Sequence, residues 1–210
     1  NISRYRFNTI PAAHYYHGIL EITKDSIGRI WYNGRDALFM YDGNSFNQMN
    51  SYVQELLPAS SISFQQVWTD RENRLFVTTN KGLLHFDYSS FKFRYIVKGG
   101  YINSIAQDDD GYIWILRDNK IESFLFDGKY HLKEYRMDSP TGYSALNYID
   151  GNCYFAQNHN IYRINRKMEK PELFMSLDRS VSMIKQIIGY KSDFFILTDP
   201  NGLYRVDTNG

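Results

Sequence analysis

"DSIGRIWYNGRDALFMYDG", residues 25–43, holds a turn, a short aromatic-rich run, a second turn, and another short run that closes on Asp-Gly. The chain uses this unit again, and the repetition decides the fold. Laid against itself, the sequence places Trp31 opposite Phe76, Trp114, Tyr154 and Phe195, at spacings of 45, 38, 40 and 41 residues. Seven positions after the anchor stands Leu38, Leu83, Ile121 or Ile161, and after eight, in the last copy, Leu203. Six positions before it, the first three copies carry Asp25, Asp70 and Asp108, and each copy closes on Asp42, Asp87, Asp127, Asn165 or Asp207. A period near 40 held through five copies marks a repeat architecture.

The apolar runs say which one. They are short and rich in Ile, Val, Phe, Tyr and Trp: "ILEI", "RIWY" and "ALFMY" in the first copy, "LFVTT", "LLHFD" and "FKFRYIV" in the second. Bounded by Asp, Asn and Gly, such runs read as strands. The nearest approach to a helical stripe is residues 51–60, where Pro58 limits it to about two turns. Asp25 with Gly28 and Asp108 with Gly111 pair a carboxylate that can bond the backbone two residues on with a glycine that accepts positive φ, and Asn73 can fill the glycine position in copy two. Asp150-Gly151 is a hairpin signal. Each copy is therefore a meander of four antiparallel strands, A to D, and the chain an all-β β-propeller of five four-stranded blades, either a closed five-bladed ring or part of a seven-bladed one. The blades cover about 11–50, 60–98, 99–138, 141–176 and 181–210 of one domain, 1–210. Residues 3–10 resemble an outer D strand with no A, B or C before it, while the last copy stops after strand C; pairing the two would remove two edges.

Composition narrows the function classes. Lys and Arg number 24 against 23 Asp and Glu, a net charge of +1, so bulk charge points to no nucleic acid or other polyanion partner. The basic cluster Arg163, Arg166, Lys167 and Lys170 reads as a solvated outer loop. The single cysteine, Cys153, falls on a strand B and reads as a small core residue. No apolar stretch approaches the roughly 18 residues that cross a bilayer, and the chain opens on Asn1, as a processed or trimmed terminus does. His14 and His17 flank two tyrosines on a loop with no third ligand near in sequence, so no metal is expected. "TKDSIGRIW" and "AQDDDGYIW" come near the Asp-box of sialidases, but such boxes are turns and argue fold rather than activity. With no nucleophile elbow, P-loop or dinucleotide loop, the expectation is no catalytic residue and no cofactor.

Residues 19–46, 104–130 and 195–207 resemble the regulator-propeller repeats of bacterial hybrid two-component systems, whose form is an Asp, a Gly, "IW", "NGL", then an aromatic and "YDG". The usual Gly-Thr after the Trp is replaced by "YNG" and "ILR", and copy four has lost the Trp. The WD-repeat dipeptides are absent. The resemblance implies a periplasmic sensor segment that binds a ligand, often an oligosaccharide. It also implies further propeller and β-sandwich domains, a possible homodimer, and membrane attachment only through a downstream helix that precedes a histidine kinase. In a propeller the D-to-A and B-to-C loops gather on one face. Arg35, Lys81, Arg117 and His159 occupy corresponding B-to-C loops, with Tyr15 and Tyr16 beside the first, and form the expected ligand-binding rim. A scaffold that binds only protein is the alternative, and a glycan-active enzyme a more distant one.

Overall fold

In the computed structural model, residues 18–56, 61–118, 120–127, 132–137 and 143–207 are described. Blade 1 is built from β1 (Glu21–Lys24), β2 (Ile30–Asn33), β3 (Leu38–Tyr41) and β4 (Phe46–Gln48), and a one-turn helix α1 (Asn50–Gln54) leads out of it. Blade 2 comprises β5 (Phe64–Thr69), β6 (Leu75–Thr79), β7 (Gly82–Asp87) and β8 (Lys92–Lys98). Blade 3 runs through β9 (Ile102–Gln107), β10 (Tyr112–Arg117), β11 (Lys120–Leu125) and β12 (Lys133–Arg136). Blade 4 contains β13 (Tyr143–Ile149), β14 (Asn152–Gln157), β15 (Asn160–Ile164) and β16 (Glu172–Ser176). Blade 5 has three described strands, β17 (Met183–Tyr190), β18 (Asp193–Asp199) and β19 (Gly202–Asp207). Each sheet pairs its strands in chain order and antiparallel, as the four-strand meander requires. Residues 3–10, Tyr15 and Tyr16 lie outside the described residues.

Alternation along the strands gives every blade two apolar faces, and successive blades clamp them together. Trp31, Leu38 and Met40 meet Leu75, Val77, Leu84 and Phe86 between blades 1 and 2. Phe76 and Leu83 meet Ile113, Ile115 and Phe124 between blades 2 and 3. Trp114 and Ile121 meet Cys153, Phe155 and Ile164, and Tyr154 and Ile161 meet Phe194 and Ile196. Four of the five sequence anchors are thus core residues: Trp31 stands 4.9 Å from the Phe86 ring and Tyr154 4.9 Å from Phe194. The fifth, Phe195, is only partly buried.

The turns before the anchors are fastened to them. Asp25 accepts backbone N–H bonds from Ile27 (3.2 Å) and Arg29 (2.9 Å) on one oxygen, and bonds from Arg29 Nε (2.7 Å) and Trp31 Nε1 (2.8 Å) on the other. Asp108 does the same for Asp110 N, Tyr112 N and Trp114 Nε1. Phe76 has no N–H to give Asp70, which holds Arg74 instead. Burial pushes both Asp25 and Asp70 upward. Hydrogen bonds from Trp31 and Arg29 nevertheless bring Asp25 below its ordinary range, while Asp70 stays above it. Asn73 takes φ 60° in the glycine position of copy two, and Asp150-Gly151 takes φ 44° and 85°, the primed hairpin turn.

Two details differ from the sequence reading. Arg163 belongs to strand β15, where it pairs with Glu172 at 3.3 Å, so only Arg166, Lys167 and Lys170 of the basic cluster lie in the loop. Arg166 is also less free than a solvated side chain: it pairs with Asp110 at 3.0 Å and its guanidinium sits 3.5 Å from the centre of the Tyr112 ring.

His85 gives the fold a pH signature. Burial between Phe76 and Phe126 lowers its pKa to about 4. In the unfolded chain it titrates near 6.5, so between those values the unfolded state binds more protons and stability falls as the solution is acidified. Denaturant unfolding at pH 7 and pH 5 should show this loss, and His85→Phe should reduce it.

Candidate functional site

The A strands β1, β5, β9, β13 and β17 surround a cavity of about 770 Å³. Its shape depends on a feature that recurs in four of them. Pairing slips by one residue between Phe64 and Gln66, so Gln65 is extra; it slips again at Asn103, at Ala145–Leu146 and at Lys185. A bulge adds one residue to one strand of a pair and re-aims the side chains around it. Here the bulges fall at the same level of successive A strands, and Gln65, Asn103, Ala145 and Lys185 all line the cavity.

The polar groups of the wall divide into two sets. One set latches blade to blade: Asn147 Nδ2 donates to Ile187 O (2.9 Å), Ser144 Oγ to Ile184 O (2.6 Å), and Gln66 Oε1 accepts from Ile105 N (3.3 Å). These bonds replace the ladder that neighbouring sheets cannot make with each other. The other set faces the cavity mouth with bonds that water or a ligand can exchange. Gln65 Oε1 accepts from Tyr101 Oη at 2.6 Å, and Lys185 pairs with Asp199 at 2.8 Å with both side chains about half exposed. Arg35, exposed on the blade 1 loop, lines the same cavity and has no ion-pair partner among the described residues. Tyr101, 41% exposed, presents its ring beside Gln65. Donors, acceptors and two cations therefore converge on one opening, and the Tyr101 hydroxyl is bonded to one of its lining residues.

Of the rim residues expected from sequence, the structure brings Arg35 to the cavity. Lys81 occupies the β6–β7 hairpin, where its N–H bonds Thr79 Oγ1 and its carbonyl accepts Gly99 N. Arg117 turns into the blade: Nη2 bonds Glu122 Oε1 at 2.5 Å, with 16% of the arginine and 2% of the glutamate side chain exposed. His159 lies at the β14–β15 hairpin near Asp178. None of these three lines the cavity. Sequence reasoning missed Gln65, Asn103 and Lys185. The available signal was a break in alternation, two polar residues in succession at Gln65-Gln66, Asn103-Ser104 and Lys185-Gln186.

Among the described residues no group of three or more His, Cys, Asp or Glu could hold a metal, and no helix is long and apolar enough to cross a membrane. Cys153 is fully buried, and burial pushes its thiol well up.

Comparison with known proteins agrees with this architecture. The family described as "Two component regulator propeller" matches residues 97–116, the junction of blades 2 and 3 with most of strand β10. No curated protein sequence matches the chain. The fold is similar to the extracellular domain assigned to a hybrid two component system of B. thetaiotaomicron, with 16% identity and a TM-score of 0.65; the match covers 91% of this chain and 34% of that one. It is similar also to virginiamycin B lyase from Staphylococcus aureus (14% identity, TM-score 0.68, 96% of this chain and 73% of that one). A luciferin-regenerating enzyme aligns as well (13% identity, TM-score 0.69, 91% and 78%). Sensors and enzymes share the fold, and this chain spans about a third of the length of the sensor domain. The recurring blade pattern and the match at 97–116 make the chain similar to the propellers of two component regulators.

Proposed function

We propose that the chain is a ligand-sensing, non-enzymatic segment of a hybrid two-component regulator, and that it binds an oligosaccharide at the mouth of the central cavity. The observation that carries this reading is the set of aligned A-strand bulges, which sends Gln65, Asn103 and Lys185 into one opening with Arg35. Amides and cations match sugar hydroxyls and carboxylates, and the Tyr101 ring can lie against an apolar sugar face. The non-enzymatic part rests on the turn carboxylates: the oxygens of Asp25, Asp70 and Asp108 already accept bonds from turn amides and from Trp or Arg, which occupies the positions at which they would act as bases. The segment belongs on the periplasmic side, where a released oligosaccharide would reach it, and its signal is a change in subunit or domain arrangement. A ligand drives such a change only through its different affinity for the two arrangements.

Calorimetric titration of neutral and acidic oligosaccharides tests the reading. A ligand of the wild type should bind Arg35→Ala/Lys185→Ala more than about tenfold more weakly, a loss of about 1.4 kcal/mol or more, and should be recovered intact. Release of new reducing ends would show an enzyme. Absence of binding across the panel, with a protein partner retained, would favour a scaffold.

A further inference from the structure

We propose that Arg71 and Tyr148 form a carboxylate-binding subsite at the end of the central cavity opposite the bulges, and that Asp109 is its built-in competitor. The cavity runs along the A strands. Gln65 lines it near the start of β5, whereas Thr69, the last residue of that strand, lines it about 13 Å further along, and Arg71 follows in the turn. Blade 4 reaches the same end through Tyr148, near the end of β13. Arg71 and Tyr148 therefore come from blades that are not neighbours, and a side chain of the blade between joins them. Arg71 Nη2 donates to Asp109 Oδ1 at 3.0 Å, and Tyr148 Oη donates to Asp109 Oδ2 at 3.0 Å. One carboxylate thus receives a donor on each oxygen, one of them charged, which is the recognition that the carboxylate of a ligand requires.

Asp109 is not needed for the turn that carries it. Asp108 accepts the turn bonds, on its side chain from Asp110 N and Tyr112 N and on its carbonyl from Gly111 N. The position of Asp109 is filled by Ser26 in blade 1 and by Arg71 itself in blade 2. Nor do the two donors depend on Asp109 for their placement. Arg71 N donates to Gln107 Oε1 at 2.9 Å and Arg71 Nη1 to Asp108 O at 3.3 Å, while Tyr148 packs against the core between blades 3 and 4. Burial and the Asp109 carboxylate hold the Tyr148 hydroxyl above its ordinary range, so it remains a donor. The cradle belongs to the scaffold, but its occupant sits at the surface, with 68% of the Asp109 side chain and 54% of the Arg71 side chain exposed. An ion pair so exposed is weakly held. A carboxylate arriving through the cavity can therefore take the place of Asp109, whose side chain turns out into water.

The test titrates glucuronate, acetate and glucose into the 210-residue chain, followed by NMR through the side-chain amide of Gln107, which lines the cavity beside Arg71. Glucuronate should shift that signal and glucose should not. Asp109→Ala removes the competitor and should tighten glucuronate about fivefold, with Tm moved by less than about 3 °C. Adding Arg71→Gln to Asp109→Ala should weaken it more than about tenfold. Tighter binding of glucuronate than of acetate assigns the subsite to acidic sugars, and equal binding assigns it to small organic acids; both support a carboxylate site. The subsite shares no residue with the bulged mouth, so Arg35→Ala/Lys185→Ala should leave glucuronate affinity here unchanged, and the two readings fail separately. If Asp109→Ala lowers Tm and leaves binding as in the wild type, the contact is a strut between blades and the proposal falls. An absence of shifts in both proteins overturns it as well, as does a response to glucose equal to that of glucuronate.

Discussion

Arg117→Met should destabilise the chain by about 3–5 kcal/mol, because it strands the Glu122 carboxylate inside the interface between blades 2 and 3. Glu122 is 1% exposed, Arg117 Nη2 bonds its Oε1 at 2.5 Å, and the remaining cation nearby, Lys120 Nζ, stands at 3.5 Å. Its other oxygen, Oε2, and Arg117 Nε are buried with no partner among the described residues, so the pair is incompletely satisfied even when intact. Removing both charges should then be cheap. Strand pairing sets Glu122 at the position held by Phe39, Leu84, Tyr162 and Tyr204 in the other blades. Arg117→Met/Glu122→Leu restores that apolar pattern and should return stability to within about 1 kcal/mol of wild type, or above it. Urea denaturation of the two single variants and the double variant measures this. Additive losses would show that the pair is not coupled.

The second large effect concerns the turn that precedes each tryptophan anchor. Asp108→Ala should cost about 3 kcal/mol, since it orphans the indole N–H of Trp114 in the core together with two turn amides. Trp114 is 1% exposed, so water cannot replace the lost acceptor. Asp108→Asn keeps one acceptor oxygen but sets its amide group against either the indole or the turn, and should recover less than half of the loss. Part of the cost belongs to the indole alone, so adding Trp114→Phe to Asp108→Ala should destabilise less than Trp114→Phe does in the wild type. Thermal unfolding of the four proteins gives the coupling. In blade 2 the native pair is already Asp70 with Phe76, and there Arg74 takes up the carboxylate.

The repeat was legible because it is written in residues that local chemistry forces. Asp25, Asp70 and Asp108 make turns at a fixed distance from their anchors, and Trp31, Phe76, Trp114 and Tyr154 are large because each fills a gap between blades. The Asp-to-indole bond was also present in the spacing, in copies one and three but not in copy two, yet turn chemistry alone did not require it. The mouth of the cavity was harder to read. Bulges at Gln65, Asn103 and Lys185 arise from pairing between strands, and a sequence shows such a slip only as a stutter in alternation. Arg117 and Arg35 occupy comparable hairpins and look alike in the sequence. What separates them is Glu122, five residues beyond Arg117, which draws it inward, whereas Arg35 stays at the cavity.

The side-chain amide signals of Gln65, Gln66, Asn103 and Asn147 in an isotope-labelled chain, followed by NMR as a bound oligosaccharide is titrated in, test the central claim most directly. These four amides line the cavity, while Lys81, Arg117 and His159 do not. Binding at the bulges should shift Gln65 and Asn103 most and leave the backbone amides of Lys81, Arg117 and His159 unmoved. Shifts confined to those three hairpins, with the cavity amides unchanged, would place the ligand on the outer rim and contradict the account.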